Sequence, residues 1–164
     1  DLFPLVEPLI IGPATRVMSL KNGSSKMSKS DPSDLSRINL KDDIDTIARK
    51  IKKAKTDSDV LPGEPGGLEE RPEAANLVSI YGALAEIDIS DVLSQFGGRG
   101  FGVFKPALTD LAIAKLTPIQ EELKRLMSDQ TSLDSLLSKG ADRARSVTEP
   151  VVAEVKEIVG FIRP

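Results

Sequence analysis

From Asp42 onward the apolar residues recur three and four positions apart, and no segment there keeps the two-residue alternation of a strand. A chain patterned this way buries its apolar surface by packing helix on helix. Ile44, Ile47, Ala48, Ile51 and Ala54 make the inner stripe of a first helix, started by Asp42 or Asp43, acids suited to a helix N-terminus. Pro72 opens a second helix, with Leu77, Ile80, Tyr81, Leu84 and Ile87 inward. The single Tyr is assigned to packing there. Lys105-Pro106 begins a long helix carrying Leu108, Leu111, Ala112, Leu116, Ile119, Leu123 and Leu126. Asp129 or Thr131 caps a shorter one, which Gly140 ends, and Ala141 starts a final helix that stops near Gly160. Pro118 and Pro150 fall inside these helices and predict bends. The expectation is four to six helices joined by short loops.

The glycine-rich run from Gly97 to Gly102 has the Gly-x-Gly spacing of a phosphate cradle but no strand ahead of it, so it reads as a mobile loop between helices. Thr56, Asp57 and Ser58 read as caps for neighbouring elements. Ahead of the helices the pattern changes. Residues 1–12 are apolar and rich in proline, and they predict a short strand or an extended segment docked on a sheet. Val17 to Leu20 is the better candidate for a buried strand end.

Several chemistries are excluded by what the chain lacks. It has no His and no Cys, which removes imidazole bases, Ser-His triads, thiolate metal sites and disulfides together. No run approaches the ~20 apolar residues of a membrane span. At 164 residues it can bury one core, or one core and a piece of another. Its first residues, Asp1-Leu2-Phe3-Pro4-Leu5, show neither an initiator Met nor a signal peptide, which predicts a start inside a longer protein. The net charge is −3, yet residues 16–55 hold eleven of the 22 basic residues against five acids. A basic segment on an acidic chain suits capture of a phosphate-rich partner.

Within that segment lies Ser24-Ser25-Lys26-Met27-Ser28-Lys29-Ser30-Asp31-Pro32, between Asn22-Gly23 and an Asp-Pro pair that both mark turns. The pattern predicts a mobile surface loop. Two flexible ammonium groups, with hydroxyls and backbone N–H groups between them, suit an anionic phosphate ligand. Position in the fold points the same way, because α/β sheets bind ligands beyond the carboxyl ends of their strands.

Lys26-Met27-Ser28-Lys29-Ser30 resembles the KMSKS signature of class I aminoacyl-tRNA synthetases. With the lead Arg16-Val17-Met18-Ser19-Leu20, the later Thr56-Asp57-Ser58-Asp59 and Gly140-Ala141-Asp142-Arg143-Ala144-Arg145, the chain resembles the tryptophanyl-tRNA synthetases of bacterial and organellar type over essentially its whole length. The resemblance implies a mainly α fold. Residues 1–40 would be the last edge of a Rossmann-like nucleotide-binding domain carrying the signature loop, and residues 41–164 a helical anticodon-binding bundle. It implies ATP, with Mg²⁺, as substrate, tRNA and tryptophan as partners, a homodimer as the full-length form, and a place in the cytoplasm or in an organelle of bacterial descent. No metal is expected on this part of the chain. Lys26 and Lys29 would be catalytic, meeting the leaving pyrophosphate. Val17, Lys26, Met27, Ser28, Lys29 and Ser30 would bind ATP, Val17 by its backbone beside adenine. Lys52, Lys53, Arg143 and Arg145 are the candidates for tRNA contact, the two arginines taken as one helical face. A non-catalytic tRNA-binding module and a tyrosyl-tRNA synthetase are the alternatives.

Overall fold

The computed structural model describes residues 2–10 and 15–160. Among them are two strands, β1 (Met18–Ser19) and β2 (Asn22–Lys26). Five α-helices follow: α1 (Ile44–Lys53), α2 (Pro72–Ala85), α3 (Ile89–Phe96), α4 (Phe101–Ser128) and α5 (Gln130–Ile158). Short 3-10 turns occupy Asp34–Ser36 and Pro65–Leu68. The mainly helical reading holds. Two compact units are present: one comprises Ile10–Gln120, the other the residues before Ile10 and after Gln120.

In the first unit the core joins Leu20 from the hairpin turn with Ile47 and Ile51 of α1, Leu77 and Val78 of α2, Val92 and Leu93 of α3, and Phe104 and Leu108 of α4. Each such side chain contributes about 1.5–3 kcal/mol when fully buried. Tyr81, Phe96 and Phe104 meet as a ring cluster with centroids 5.1–5.6 Å apart, so the lone Tyr packs as expected. Asp43 caps α1 through its side chain, accepting from the Thr46 N–H at 2.7 Å. Pro72 stands at the first position of α2. Ile44, the first residue of α1, departs from the predicted inner stripe and is half exposed, whereas Ile47, one turn on, is in the core.

Lys50 is the unexpected member of α1. Its side chain is fully buried, and its ammonium lies 2.7 Å from Asp34 and 2.6 Å from Asp42. The Lys50 and Asn39 donors hold the Asp34 carboxyl below its usual range. Burial works against the charged form of Asp42, but Lys50 and Asn39 outweigh it and its pKa also falls. Gln120 of α4 donates to the Asp42 carbonyl at 2.8 Å, so the segment entering α1 is held from two sides. Asp57 forms a two-pronged pair with Arg71, at 2.6 and 2.9 Å, and this lowers the Asp57 pKa. Asp57 thus does not take the helix-capping role expected of Thr56-Asp57-Ser58 but braces Arg71, the residue that precedes α2.

The glycine-rich run departs from the mobile loop expected of it. Leu61 donates to the Arg99 carbonyl at 2.9 Å and accepts from the Gly98 N–H at 2.8 Å, which pins the turn; Gly98 takes φ +76°, where a glycine is favoured. α4 then begins at Phe101, before the predicted Lys105-Pro106 start, and Lys105 instead donates to the Ala54 and Lys52 carbonyls that end α1.

In the second unit α5 is one continuous helix through Gly140 and Pro150, with no buried residue. The expected break at Gly140 is absent. No neighbour lies within 4 Å of that site, and one interior glycine costs only about 1 kcal/mol among good helix formers. Asp129 caps α5 through the Ser132 N–H at 2.9 Å, and Gly160 at φ +74° follows its end, both as expected. α4 likewise runs through Pro118 without interruption. The strand expected within residues 1–12 is not formed over residues 2–10, where Leu5, Val6 and Leu9 are exposed. Residues 11 and 12 of that stretch, and the Phe161 and Ile162 read into the last helix, lie outside the described residues.

Replacing Lys50 with Met should lower the unfolding free energy by about 3 kcal/mol, read by urea denaturation at neutral pH, because two carboxylates lose their shared cation. Asp42 and Asp57 have folded pKa values below their unfolded ones. Their stabilisation is therefore complete above the ordinary carboxylate value near 4 and is lost as pH falls through the folded values. The melting temperature should stay level from about pH 7 to pH 5 and drop below about pH 4, with a shallower drop for Asp57→Asn.

Candidate nucleotide-binding site

β1 and β2 pair antiparallel, with Met18 opposite Lys26 and Ser19 opposite Asn22, and an irregularity between Met18 and Ser19. The turn lies at Leu20-Lys21, not at Asn22-Gly23 as the sequence suggested. Gly23 is needed for a different reason. It is buried where β2 crosses the first turn of α2, and a Cβ there would overlap the Pro72 carbonyl carbon and sit 2.5 Å from the Glu73 nitrogen. The strand end expected at Val17–Leu20 is present in shortened form, in a hairpin whose ladder is antiparallel.

Three contacts fasten the hairpin. Asn76 of α2, nearly buried, accepts from the Met18 N–H at 2.9 Å and donates to the Met18 carbonyl at 2.9 Å and the Ser19 carbonyl at 3.4 Å. Glu73 pairs with Lys55 at 2.8 Å; that ammonium, with a smaller share from the Gly23 N–H, keeps the Glu73 carboxyl below its usual pKa. The Leu20 backbone donates to Ser36 at 2.9 Å and accepts from Lys55 at 2.7 Å. Met18, Ser19 and Leu20 belong to the lead of the signature, whereas Ser36, Glu73 and Asn76 belonged to no sequence motif. The available signal was a lone Asn among the apolar positions within the first turns of α2.

The signature follows from this base. Lys26 ends β2 and is exposed, so the first signature lysine is part of a strand and not of a loop. Met27 donates its N–H to the Val17 carbonyl at 3.1 Å, and its half-buried side chain lines an apolar cavity of about 220 Å³ with Val17, Leu20 and Ile38. Ser28, Lys29 and Ser30 are exposed. The Ser28 hydroxyl accepts from the Ser30 N–H at 3.2 Å, and the Ser28 carbonyl from the Asp31 N–H at 3.4 Å. Beyond the turn Arg37 donates to the Asp31 carbonyl at 3.0 Å, while Asp31 accepts from the Ser33 N–H at 2.7 Å.

The structure thus gathers Val17 and residues 26–30 in one place, with a fixed entry, a fixed exit and a short exposed apex. Neither signature lysine is ion-paired among the described residues, so both ammonium groups face solvent with their charge uncompensated. Chemically, the arrangement can meet an anion that carries several negative oxygens. Among the described residues no group of three or more acidic side chains could hold a metal ion.

The basic cluster of α1 divides. Lys50 is consumed by Asp34 and Asp42, and Lys55 by Glu73, whereas Lys52 and Lys53 remain exposed. On α5 Arg145 reaches Asp142 at 3.1 Å, and Arg143 is exposed. Two positions apart on a helix, Arg143 and Arg145 do not share a face, which corrects the grouping made from sequence.

Residues 2–116 match the family model described as tRNA synthetases class I (W and Y). The chain belongs to that family. It is 60% identical over 161 residues to the tryptophan–tRNA ligase of Agrobacterium fabrum, covering 98% of this chain and 46% of that protein. Against the tryptophan–tRNA ligase of Rickettsia conorii it is 44% identical over 162 residues, covering 99% of this chain and 48% of the relative. The chain therefore spans about half the length of the curated relatives it matches. Tryptophanyl-tRNA synthetase from Mycoplasma pneumoniae has the same fold at TM-score 0.74 and 24% identity, over 92% of this chain and 47% of that one. The Campylobacter jejuni enzyme, solved with ADP and tryptophan, aligns at TM-score 0.61 and 25% identity, over 89% of this chain and 44% of that one.

Gly23→Ala should displace β2 from α2 and cost about 1–3 kcal/mol, the range for forcing an extra carbon into a filled site. Thermal unfolding followed by circular dichroism checks this, with Gly140→Ala, which meets no neighbour, as the neutral or slightly stabilising control.

Proposed function

We propose that this chain supplies the signature-lysine half of the ATP site, and the helical tRNA-binding portion, of a tryptophan–tRNA ligase. The observation that carries the reading is the run of residues 26–30, which leaves a hairpin held by α2 with two exposed lysines that are unpaired among the described residues. The relatives compared are named tryptophan–tRNA ligases, which favours tryptophan over tyrosine. The domain reading goes with it: residues 1–40 as the edge of the nucleotide-binding domain, residues 41–164 as the helical, anticodon-side domain.

In the reaction so assigned, a tryptophan carboxylate oxygen attacks the α-phosphorus of ATP, the bond to the bridging oxygen breaks, and pyrophosphate leaves; Mg²⁺ bound to ATP would help to neutralise the phosphates. A ribose hydroxyl at the end of tRNA then attacks the tryptophanyl carbonyl of the adenylate, the bond from that carbonyl to the phosphate oxygen breaks, and AMP leaves. Negative charge grows on the departing pyrophosphate during the first step. Lys26 and Lys29 stabilise that charge, while the Ser28 and Ser30 hydroxyls and the apex N–H groups hold the β- and γ-phosphates. The Val17 backbone lies beside adenine, and Met27 anchors the loop by its apolar side chain. Binding energy realised at the leaving group acts on the rate more than on ground-state affinity.

Lys52, Lys53, Arg143 and Arg145 remain the candidates for tRNA phosphates. Lys52 and Lys53 are the stronger pair, since they stay exposed while their neighbours Lys50 and Lys55 are neutralised. The full-length enzyme is taken as a homodimer on the family resemblance alone. Among the described residues no helix is long and apolar enough to cross a membrane.

In the full-length ligase, Lys26→Ala or Lys29→Ala should each lower kcat for adenylate formation by on the order of 10²–10³-fold, with a much smaller change in KM for ATP. Tryptophan-dependent pyrophosphate exchange measures both constants. An effect confined to KM, or no effect, would refute the assignment. The 164-residue chain alone should give no exchange.

A further inference from the structure

Resting on the reading above, we infer that Asn76 is a positioning residue for Lys26. It holds by its side-chain amide the backbone of the residue paired across the ladder from that lysine. The register sets Met18 opposite Lys26, and the N–H and carbonyl of Met18 both go to Asn76, each at 2.9 Å. The amide orientation is forced, because the N–H requires an acceptor and the carbonyl a donor. A third contact, 3.4 Å from Nδ2 to the Ser19 carbonyl, spans the point where the ladder is irregular. Asn76 therefore substitutes for one residue of a third strand along the outer edge of β1.

The ribbon needs that substitute. β1 is only two residues long, and a two-stranded ribbon is marginal by itself. Without the amide, the Met18 N–H and carbonyl would be left unsatisfied in a partly buried place, or would turn toward water. Either outcome shifts the strand opposite Lys26, and misplacement by about 1 Å at a reacting centre costs on the order of 10²-fold in rate. Asn76 touches no reacting atom in this account; it acts through β1.

The test is tryptophan-dependent pyrophosphate exchange by the full-length ligase, with folding checked by circular dichroism and thermal melting. Asn76→Ala should lower kcat by on the order of 10- to 100-fold while KM for ATP and for tryptophan change little. Asn76→Asp separates positioning from packing. Its ionised carboxylate would face the Met18 and Ser19 carbonyls and be repelled, whereas the protonated acid can accept from the Met18 N–H and donate to its carbonyl as the amide does. Relative to the unaltered enzyme, Asn76→Asp should therefore regain rate as pH falls from about 8 to 6, through a carboxyl whose pKa is raised by burial beside carbonyl oxygens. A folded Asn76→Ala enzyme with normal kcat, or an Asn76→Asp enzyme whose pH profile parallels the unaltered one, overturns the inference. If Asn76→Ala fails to fold, the Asn76→Asp profile decides. Absence of exchange in the unaltered enzyme would overturn the functional reading itself, and the inference with it.

Discussion

The backbone N–H and carbonyl of Met18 are not taken up by β2, and the arrangement around the signature depends on how they are satisfied. A strand of two residues has no energy to spare for an unpaired polar edge. α2 resolves this with Asn76, and then adds a steric fit in which Gly23 lets β2 lie against the first turn of the helix. Pro72 suits that turn doubly, since it starts the helix and has no N–H to satisfy at the crowded contact. The hairpin is accordingly an attachment of the helical unit formed by Ile10–Gln120. Its position is set by α2 and by the link from Leu20 to Ser36 and Lys55.

Burial sorts the basic residues of the segment into two kinds. Lys50 is fully buried, and Asp34 and Asp42 both pair with it there, since a buried cation is costly without partners. That pairing ties the segment after the signature onto α1, so one lysine of the basic segment 16–55 is a structural pin. Lys105 acts comparably, closing the end of α1 by donating to two carbonyls. Lys26, Lys29, Lys52 and Lys53 lie on the surface, where a charge needs no partner and can meet a polyanion at little desolvation cost.

Long helices were legible because their apolar period is sustained: capping chemistry pointed to Asp42 or Asp43, to Pro72 and to Asp129 or Thr131, and the structure selects Asp43, Pro72 and Asp129. The signature was legible too, but only through its order of letters, since composition alone could not distinguish it from a solvated Ser/Lys linker. What failed were local signals overridden by context. Asn22-Gly23 is a strong turn dipeptide, yet Gly23 is used for close approach to α2 and the turn moves to Leu20-Lys21. Gly140 looked like a stop, yet the residues on both sides carry the helix through it. The residues that hold the site, Asn76 and Glu73, were invisible because their partners are backbone groups and a lysine far away in sequence, and a single sequence records no such pairing.

The contrast between the base of the signature and its apex bears on how such a loop can work. Lys26 stands on a strand whose partner is clamped, while the turn of Ser28, Lys29 and Ser30 is closed among the described residues by the Ser30 N–H on the Ser28 hydroxyl and the Asp31 N–H on the Ser28 carbonyl. Under the proposed reading the two cations therefore differ in kind. Lys26 is preorganised, so its charge is in place at little reorganisation cost when pyrophosphate departs. Lys29 rides on a turn held by two local hydrogen bonds, which can rearrange around phosphate oxygens without disturbing α2. An apex as rigid as the base would bind ground state and transition state alike, and a base as loose as the apex would lose the geometry that makes the charge useful. The clamp supplied by α2 keeps these two requirements on adjacent residues of one hairpin.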